Sequence, residues 1–224
     1  MKTPVVIAVD GTAASGKGTL AKRLAKHFGF AHLDSGSLYR LTALAVVVAG
    51  GNPENEADAV AAAHAVDPAQ ANDPAIRSDR IAAIASIVAA QPAVRTVLLD
   101  FQRHFAADPP AHAPGAVIDG RDIGTIVCPE APAKLFVDAK PQTRAHRRWL
   151  ELQAFGGAAD EQAVLAEILA RDARDRQRAV APLRPAPDAI LLDTSELDID
   201  AAFAAALALV SPKIEDALQV RHRG

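Results

Sequence analysis

The sequence predicts an α/β fold: a central, five-stranded parallel sheet covered by helices, with a helical insertion after the second strand and an arginine-rich helical lid before the last. Three observations carry the prediction. The apolar run Val5-Val6-Ile7-Ala8-Val9 stops at a glycine-rich turn and resumes as an amphipathic stretch over residues 20–28. Further short apolar runs recur with helical stretches between them, and the last three end in aspartate. Strands that are apolar throughout and separated by helices imply a parallel sheet buried on both faces, with its ligand crevice beyond the carboxyl ends of the strands.

Taken in order, the first strand leads into Asp10-Gly11-Thr12-Ala13-Ala14-Ser15-Gly16-Lys17-Gly18-Thr19. Gly11 and Gly16 permit turns that aim consecutive N–H groups inward, Lys17 supplies a mobile charge, and the helix that starts there adds its positive dipole end. This reads as a loop for nucleoside triphosphate phosphates, set against the alternative of a ligand-free glycine turn. Gly18 stands between the lysine and Thr19, which displaces the hydroxyl of the usual pattern by one residue and points toward kinases of small molecules. Phe30-Ala31-His32-Leu33-Asp34 forms the second strand, followed by Ser35-Gly36-Ser37 and an apolar helix over residues 38–48.

Residues 50–55 break the chain, residues 56–66 form an alanine-rich helix, and residues 67–74 a polar connection. Residues 76–90 and 93–105 read as two helices split at Gln91-Pro92, since proline is tolerated in the first turn of a helix but not inside one. Strands resume at Ala116-Val117-Ile118-Asp119 and Lys134-Leu135-Phe136-Val137-Asp138, and the last is Ala189-Ile190-Leu191-Leu192-Asp193. Their terminal carboxylates are expected to point toward the chemistry. Residues 143–154 and 160–179, joined by Gly156-Gly157 as a hinge, read as a two-helix lid. The organisation expected is one domain: a core of residues 1–34, 115–139 and 188–218, an acceptor-binding region of residues 35–114 and a lid of residues 140–180.

Composition narrows the function. The chain has 224 residues, half of them hydrophobic, and a net charge of −3, which does not suit a coat for nucleic acid or anionic membrane. The single Cys128 excludes an internal disulfide and a multi-cysteine metal site. No signal-type or membrane-spanning stretch is read, so a cytoplasmic location is expected. One Trp149 and one Tyr39 argue against stacking platforms for nucleic acid. His27, His32, His64, His104, His112, His146 and His222 are scattered without metal-ligand spacing and read as structural or exposed.

Phosphoryl transfer between two anions needs several cations around one small volume. Arg144, Arg147 and Arg148 share one helical face, and Arg171, Arg174, Asp175 and Arg178 share another, with Arg176 turned away toward Asp172. On an isolated helix such a face would be a solvated, ion-paired surface; beside a phosphate loop it reads as functional. Ser35 and Arg40 follow the second strand at the same sheet edge, where a helix cap and a surface arginine are the plainer alternatives. In Asp119-Gly120-Arg121-Asp122-Ile123-Gly124 the glycines allow close backbone approach and a carboxylate flanks an arginine. Asp119 resembles the strand-ending acid that orients magnesium or its water shell in phosphate-loop enzymes.

Together the GxxxxGKGT loop, DSGSLYR, GRDIGT, RAHRR and RDARDRQRAVAPL resemble the bacterial cytidylate kinases over roughly residues 5–210. The resemblance implies a P-loop kinase that moves the γ-phosphoryl of ATP, with magnesium, onto CMP or dCMP. It assigns Gly11, Thr12, Ala13, Ala14, Ser15, Gly16, Lys17, Gly18 and Thr19 to ATP, and Ser35, Arg40 and Arg121 to the acceptor phosphate and sugar. Arg171, Asp175 and Arg178 make ribose and phosphate contacts as the lid closes, and Ser86, Arg95 and Asp122 read cytosine. Lys17, Arg121, Arg144, Arg148 and Arg178 are the catalytic candidates, no direct metal ligand is assigned, and a monomer is expected. Cytosine offers an N4 donor to a carboxylate and O2 and N3 acceptors to Arg and Ser, so uracil would leave buried partners unpaired. The chain departs from the family in one place: where members carry a small stranded insertion, it has only the polar, proline-containing residues 67–74. The alternatives are a kinase of UMP, AMP or shikimate, and a nucleotide-dependent switch; the Asn-Lys-x-Asp stretch of a guanine-specific switch is absent from the sequence.

Overall fold

A computed structural model describes residues 4–154 and 159–223. Five strands, β1 (Val5–Gly11), β2 (Ala31–Asp34), β3 (Gly115–Gly120), β4 (Ala133–Asp138) and β5 (Ile190–Asp193), form one sheet in the order β2-β3-β1-β4-β5. β1 runs parallel to both β3 and β4, and β4 parallel to β5. The helices are α1 (Lys17–Phe28), α2 (Ser35–Val48), α3 (Glu56–His64), α4 (Asp79–Val88), α5 (Pro92–Ala107), α6 (Pro141–Ala154), α7 (Glu161–Gln177) and α8 (Ile199–Arg223).

The chain divides into two compact units, residues 1–32 with 106–224, and residues 33–105. In the first, Val5, Ile7 and Val9 of β1 point to one face of the sheet, where they pack with Leu20 and Leu24 of α1, Leu135 and Val137 of β4, and Ala206, Val210 and Ile214 of α8. Alternation along a strand sends every second side chain to the opposite face, so Asp10 departs from the face that holds Val9. Each large aliphatic side chain taken fully out of water here contributes about 1.5–3 kcal/mol. That burial fixes the strand ends, and with them the loops that follow β1, β3 and β4.

The second unit is helical. Leu38, Leu41 and Val46 of α2 are buried, as are Ile81, Ala85 and Val88 of α4 and Val94 and Leu98 of α5. α2 starts at Ser35, three residues before the apolar pattern alone indicates, because Asp34 caps it by accepting from Ser37 N at 3.2 Å. α4 is shorter than the stretch expected from residue 76: Ser78 accepts from Ile81 N at 3.3 Å and sets the start, while residues 74–77 form a 3-10 turn. Residues 67–74, expected as a plain connection, hold 3-10 turns capped by Asp67 and Asp73, with no strand among the described residues. α8 continues to Arg223, past the core boundary at residue 218, and the proposed Gly156-Gly157 hinge lies outside the described residues. No single helix among the described residues is long and apolar enough to cross a membrane.

Candidate functional site

The loop from β1 to α1 is built by three local constraints. Gly11 pairs in register with Val137, and a Cβ there would lie 2.0 Å from Val137 O, so only glycine fits. Ala14 and Gly16 then take positive φ values of 57° and 87°, which turns the chain into the first turn of α1. The amides at the start of a helix have no partner within it, so this turn presents donors suited to phosphate oxygens.

The loop's own hydroxyls hold its shape. Thr12 donates to Asp138 Oδ1 at 2.6 Å, Ser15 to Thr12 O at 3.0 Å, and Thr194 to Ser15 O at 2.9 Å. Thr12 and Ser15 are fully buried and serve as braces, whereas Thr19 is exposed in the first turn of α1. Lys17 Nζ lies 3.4 Å from Thr12 O, folded back along the loop.

Asp119 and His32 meet beside this turn. His32 Nε2 is 2.9 Å from Asp119 Oδ1, and a Cβ on Gly18 would sit 3.7 Å from Asp119 Oδ2. The strand-ending carboxylate therefore stands next to the start of α1, as its position in the sequence leads one to expect. His32, one of the histidines read as structural or exposed, is half-buried and bonded to this carboxylate. Asp193, also expected to face the chemistry, is exposed and accepts from the backbone and hydroxyl of Ser195 as a turn cap.

A group of arginines gathers around Asp175. Arg121 Nε donates to Asp175 Oδ2 at 3.0 Å and Arg178 Nη2 to Oδ1 at 2.6 Å, while the charge of Arg171 acts on the same carboxylate. Burial pushes Asp175 up, but Arg121, Arg178 and Arg171 outweigh it and hold the carboxyl below its ordinary value. Three cations around one carboxylate leave net positive charge at the end of β3, where an anionic ligand would be attracted. Arg174 and Arg176 are exposed on α7 and lie outside this group.

The α6 arginines divide. Arg144 is almost completely buried and its guanidinium is fully engaged: Nη2 donates to Asp172 at 2.6 Å, Nε to Ala139 O at 2.8 Å and Nη1 to Ala13 O at 3.2 Å. It ties α6, α7 and the phosphate loop together, a different use from the charge stabilisation expected of it. Asp172, expected to pair with Arg176, faces inward to Arg144 instead. Arg147 donates to Thr194 and to the carbonyls of Thr194 and Leu197, and Arg148 pairs with Glu151 at 2.9 Å. Ala14 of the loop packs on the small core of Ala145, Val164 and Ile168 between α6 and α7.

In the second unit, Arg95 is buried, donates to Ala89 O at 3.4 Å and lies 5.6 Å from the ring centre of Tyr39. Arg40 donates to Ile76 O at 2.9 Å, Ser86 bonds back to Ala82 O at 3.3 Å within α4, and Ser35 is buried at the start of α2. Residues that sequence reasoning did not single out are Asp10, whose carboxylate accepts from Ile123 N and Gly124 N, and Thr194, whose hydroxyl donates to Ser15 O. Among the described residues no group of three or more His, Cys, Asp or Glu side chains forms a metal cluster.

The profile described as Cytidylate kinase matches residues 7–211. A protein named Cytidylate kinase from Bradyrhizobium diazoefficiens is 55% identical over 206 residues, covering 92% of this chain and 95% of its own. One of the same name from Afipia carboxidovorans is 55% identical and covers 92% and 97%. Among solved structures, an uncharacterized protein from Eubacterium ventriosum aligns with a TM-score of 0.54 at 16% identity, over 92% of this chain and 98% of its own, which speaks to the fold alone.

Proposed function

The chain belongs to the cytidylate kinase family, and from that premise we propose how its residues move the γ-phosphoryl of ATP onto CMP or dCMP. The observation that carries the reading is that the phosphate loop and the arginine group around Asp175 stand beyond the carboxyl ends of adjacent parallel strands, β1 and β3.

In the first unit, the amides of residues 11–19 and Lys17 hold the donor phosphates. Arg121, Arg171 and Arg178, pre-arranged on Asp175, attract the acceptor phosphate and stabilise the charge that spreads over the transferring group. Because Asp175 keeps the guanidinium planes in place before any ligand arrives, little reorganisation is left for the reaction itself. Asp122 accepts from the cytosine N4 amino group, and Arg144 acts as a positioning residue that holds the loop at Ala13. In the second unit, Ser35 and Arg40 serve the acceptor phosphate and sugar, and Ser86 and Arg95 donate to cytosine O2 and N3. Arg148 remains a candidate for transition-state charge.

Magnesium suits the donor set: one buried carboxylate, Asp119, next to Gly18 in the first turn of α1, leaving most of the coordination to water and phosphate oxygens. When bound, it would neutralise charge on the donor phosphates, with Asp119 and Thr19 holding its water shell. Every role is filled from one copy of the chain, so a monomer suffices, and a cytoplasmic location fits ATP and CMP as substrates.

Calorimetric titration with a non-hydrolysable ATP analogue and, separately, with CMP tests this division. Lys17→Ala is expected to weaken the analogue and spare CMP, and Arg178→Ala the reverse. Both ligands weakened equally by either change would refute the assignment.

A further inference from the structure

The turn that carries Arg121 and Asp122 is held from below by a residue far away in sequence. After Asp122 the chain makes a single π-type turn, Ile123–Val127, in which Val127 N donates to Asp122 O and Cys128 N to Ile123 O. Such wide turns are uncommon and have few bonds of their own. Their first amides, like those of any helical turn, lack partners within the turn. Asp10 supplies them: its Oδ1 accepts from Ile123 N at 2.8 Å and its Oδ2 from Gly124 N at 2.7 Å. The carboxylate is buried, with 3% of its residue surface exposed, and reaches the turn from the end of β1, one residue before Gly11 opens the phosphate loop. Close approach is built in on the other side as well. A Cβ on Gly124 would lie 3.4 Å from Asp10 Oδ2 and 3.1 Å from the Lys134 stem.

We propose that Asp10 is a positioning residue for the acceptor: its two-pronged grip on Ile123 and Gly124 sets the turn that aims Arg121 and Asp122, and couples it to the first residue of the phosphate loop. The proposal rests on the acceptor roles given above to Arg121 and Asp122. A carboxylate is suited to this task because both oxygens accept. An amide in its place offers one acceptor and turns two donors toward the second N–H, and a protonated carboxyl turns one donor toward it. The setting makes that protonation accessible. Burial pushes the Asp10 carboxyl up to about 7, with the amides of Gly124 and Ile123 and the charge of Arg121 pulling it down and the charge of Asp122 pushing it up. Lys134 of β4, whose stem lies against Gly124, has its ammonium bonded to Asp188 and to Pro129 O.

The test has a spectroscopic arm and a kinetic arm on the full-length chain, wild type and Asp10→Asn, with circular dichroism to verify folding. The ¹H–¹⁵N signals of Gly124 and Ile123 are expected to shift with pH around a midpoint near 7 in the wild type and to stay flat in Asp10→Asn. Ile123 and Gly124 amide signals at the same positions in Asp10→Asn as in the wild type would overturn the clamp without any reference to catalysis. In steady state, Asp10→Asn should raise the KM for CMP on the order of tenfold, as loss of a charge-assisted hydrogen bond implies, and leave the KM for ATP within about twofold. Equal changes in both KM values, or none, would overturn the positioning role even if the amides titrate. The phosphate of CMP titrates identically in both proteins, so the difference between their pH profiles belongs to Asp10. A wild type that turns over ATP with another acceptor and not with CMP would instead sink the functional reading, leaving the amide titration to stand on its own.

Discussion

Replacing Asp172 by Asn removes the charge that Arg144 depends on while keeping the shape of the side chain. Both side chains are 2–3% exposed and 2.6 Å apart, so solvent cannot make up the loss. Removing one member of a buried pair costs about 3–5 kcal/mol, because the remaining charge is left without compensation. For a chain of this size that corresponds to a fall in melting temperature of roughly 6–20 °C. Because Arg144 also donates to Ala13 O, the KM for ATP should rise several-fold while that for CMP moves less. Thermal melting followed by circular dichroism and steady-state kinetics below the transition measure both effects. The double change Arg144→Met with Asp172→Leu should recover most of the melting temperature, since well-packed apolar groups often replace a buried pair at little cost, yet it should not restore the ATP KM. A single variant that melts within about 2 °C of wild type with an unchanged ATP KM would refute the reasoning.

Asp122→Ala should erode discrimination between CMP and UMP, compared as kcat/KM for each; an unchanged ratio would remove Asp122 from the base pocket. Asp175 has a folded carboxyl held below its ordinary value, so its contribution to stability is present above about pH 4 and is lost as the pH falls below that. Urea melts between pH 2.5 and 5 should therefore lose stability more steeply for wild type than for Asp175→Asn, and parallel curves would contradict this. His32→Leu is expected to lower kcat several-fold with the fold intact, because Asp119 loses its ring partner; wild-type kcat would return His32 to a packing role.

Much of the fold was legible in the chain because burial on both faces leaves no polar alternation, and the runs ending at Asp119, Asp138 and Asp193 are all strands of one sheet. The phosphate loop was legible for a local reason: Gly11, Gly16 and Lys17 sit within one turn of each other. Helical spacing grouped Arg171, Arg174, Asp175 and Arg178, of which Arg174 is exposed and stands apart from the cluster around Asp175. What escaped depends on contacts between distant residues. Asp10 reaches Ile123 across 113 positions, Thr12 reaches Asp138 across 126 and His32 reaches Asp119 across 87. Helix periodicity likewise shows which face Arg144 lies on but not that Asp172 of the next helix turns inward to meet it. A buried aspartate in an otherwise apolar strand, as at Asp10, is a usable signal, because such a charge needs backbone donors or a cation nearby.

The central claim is phosphoryl transfer to a cytidine monophosphate. ADP formation from ATP and magnesium, with CMP, dCMP, UMP, AMP and shikimate offered one at a time to the purified chain, tests it most directly. Fast turnover with CMP and dCMP and slow turnover with the rest is the predicted result. Preference for UMP, AMP or shikimate, or ATP binding without turnover on any acceptor, would contradict it.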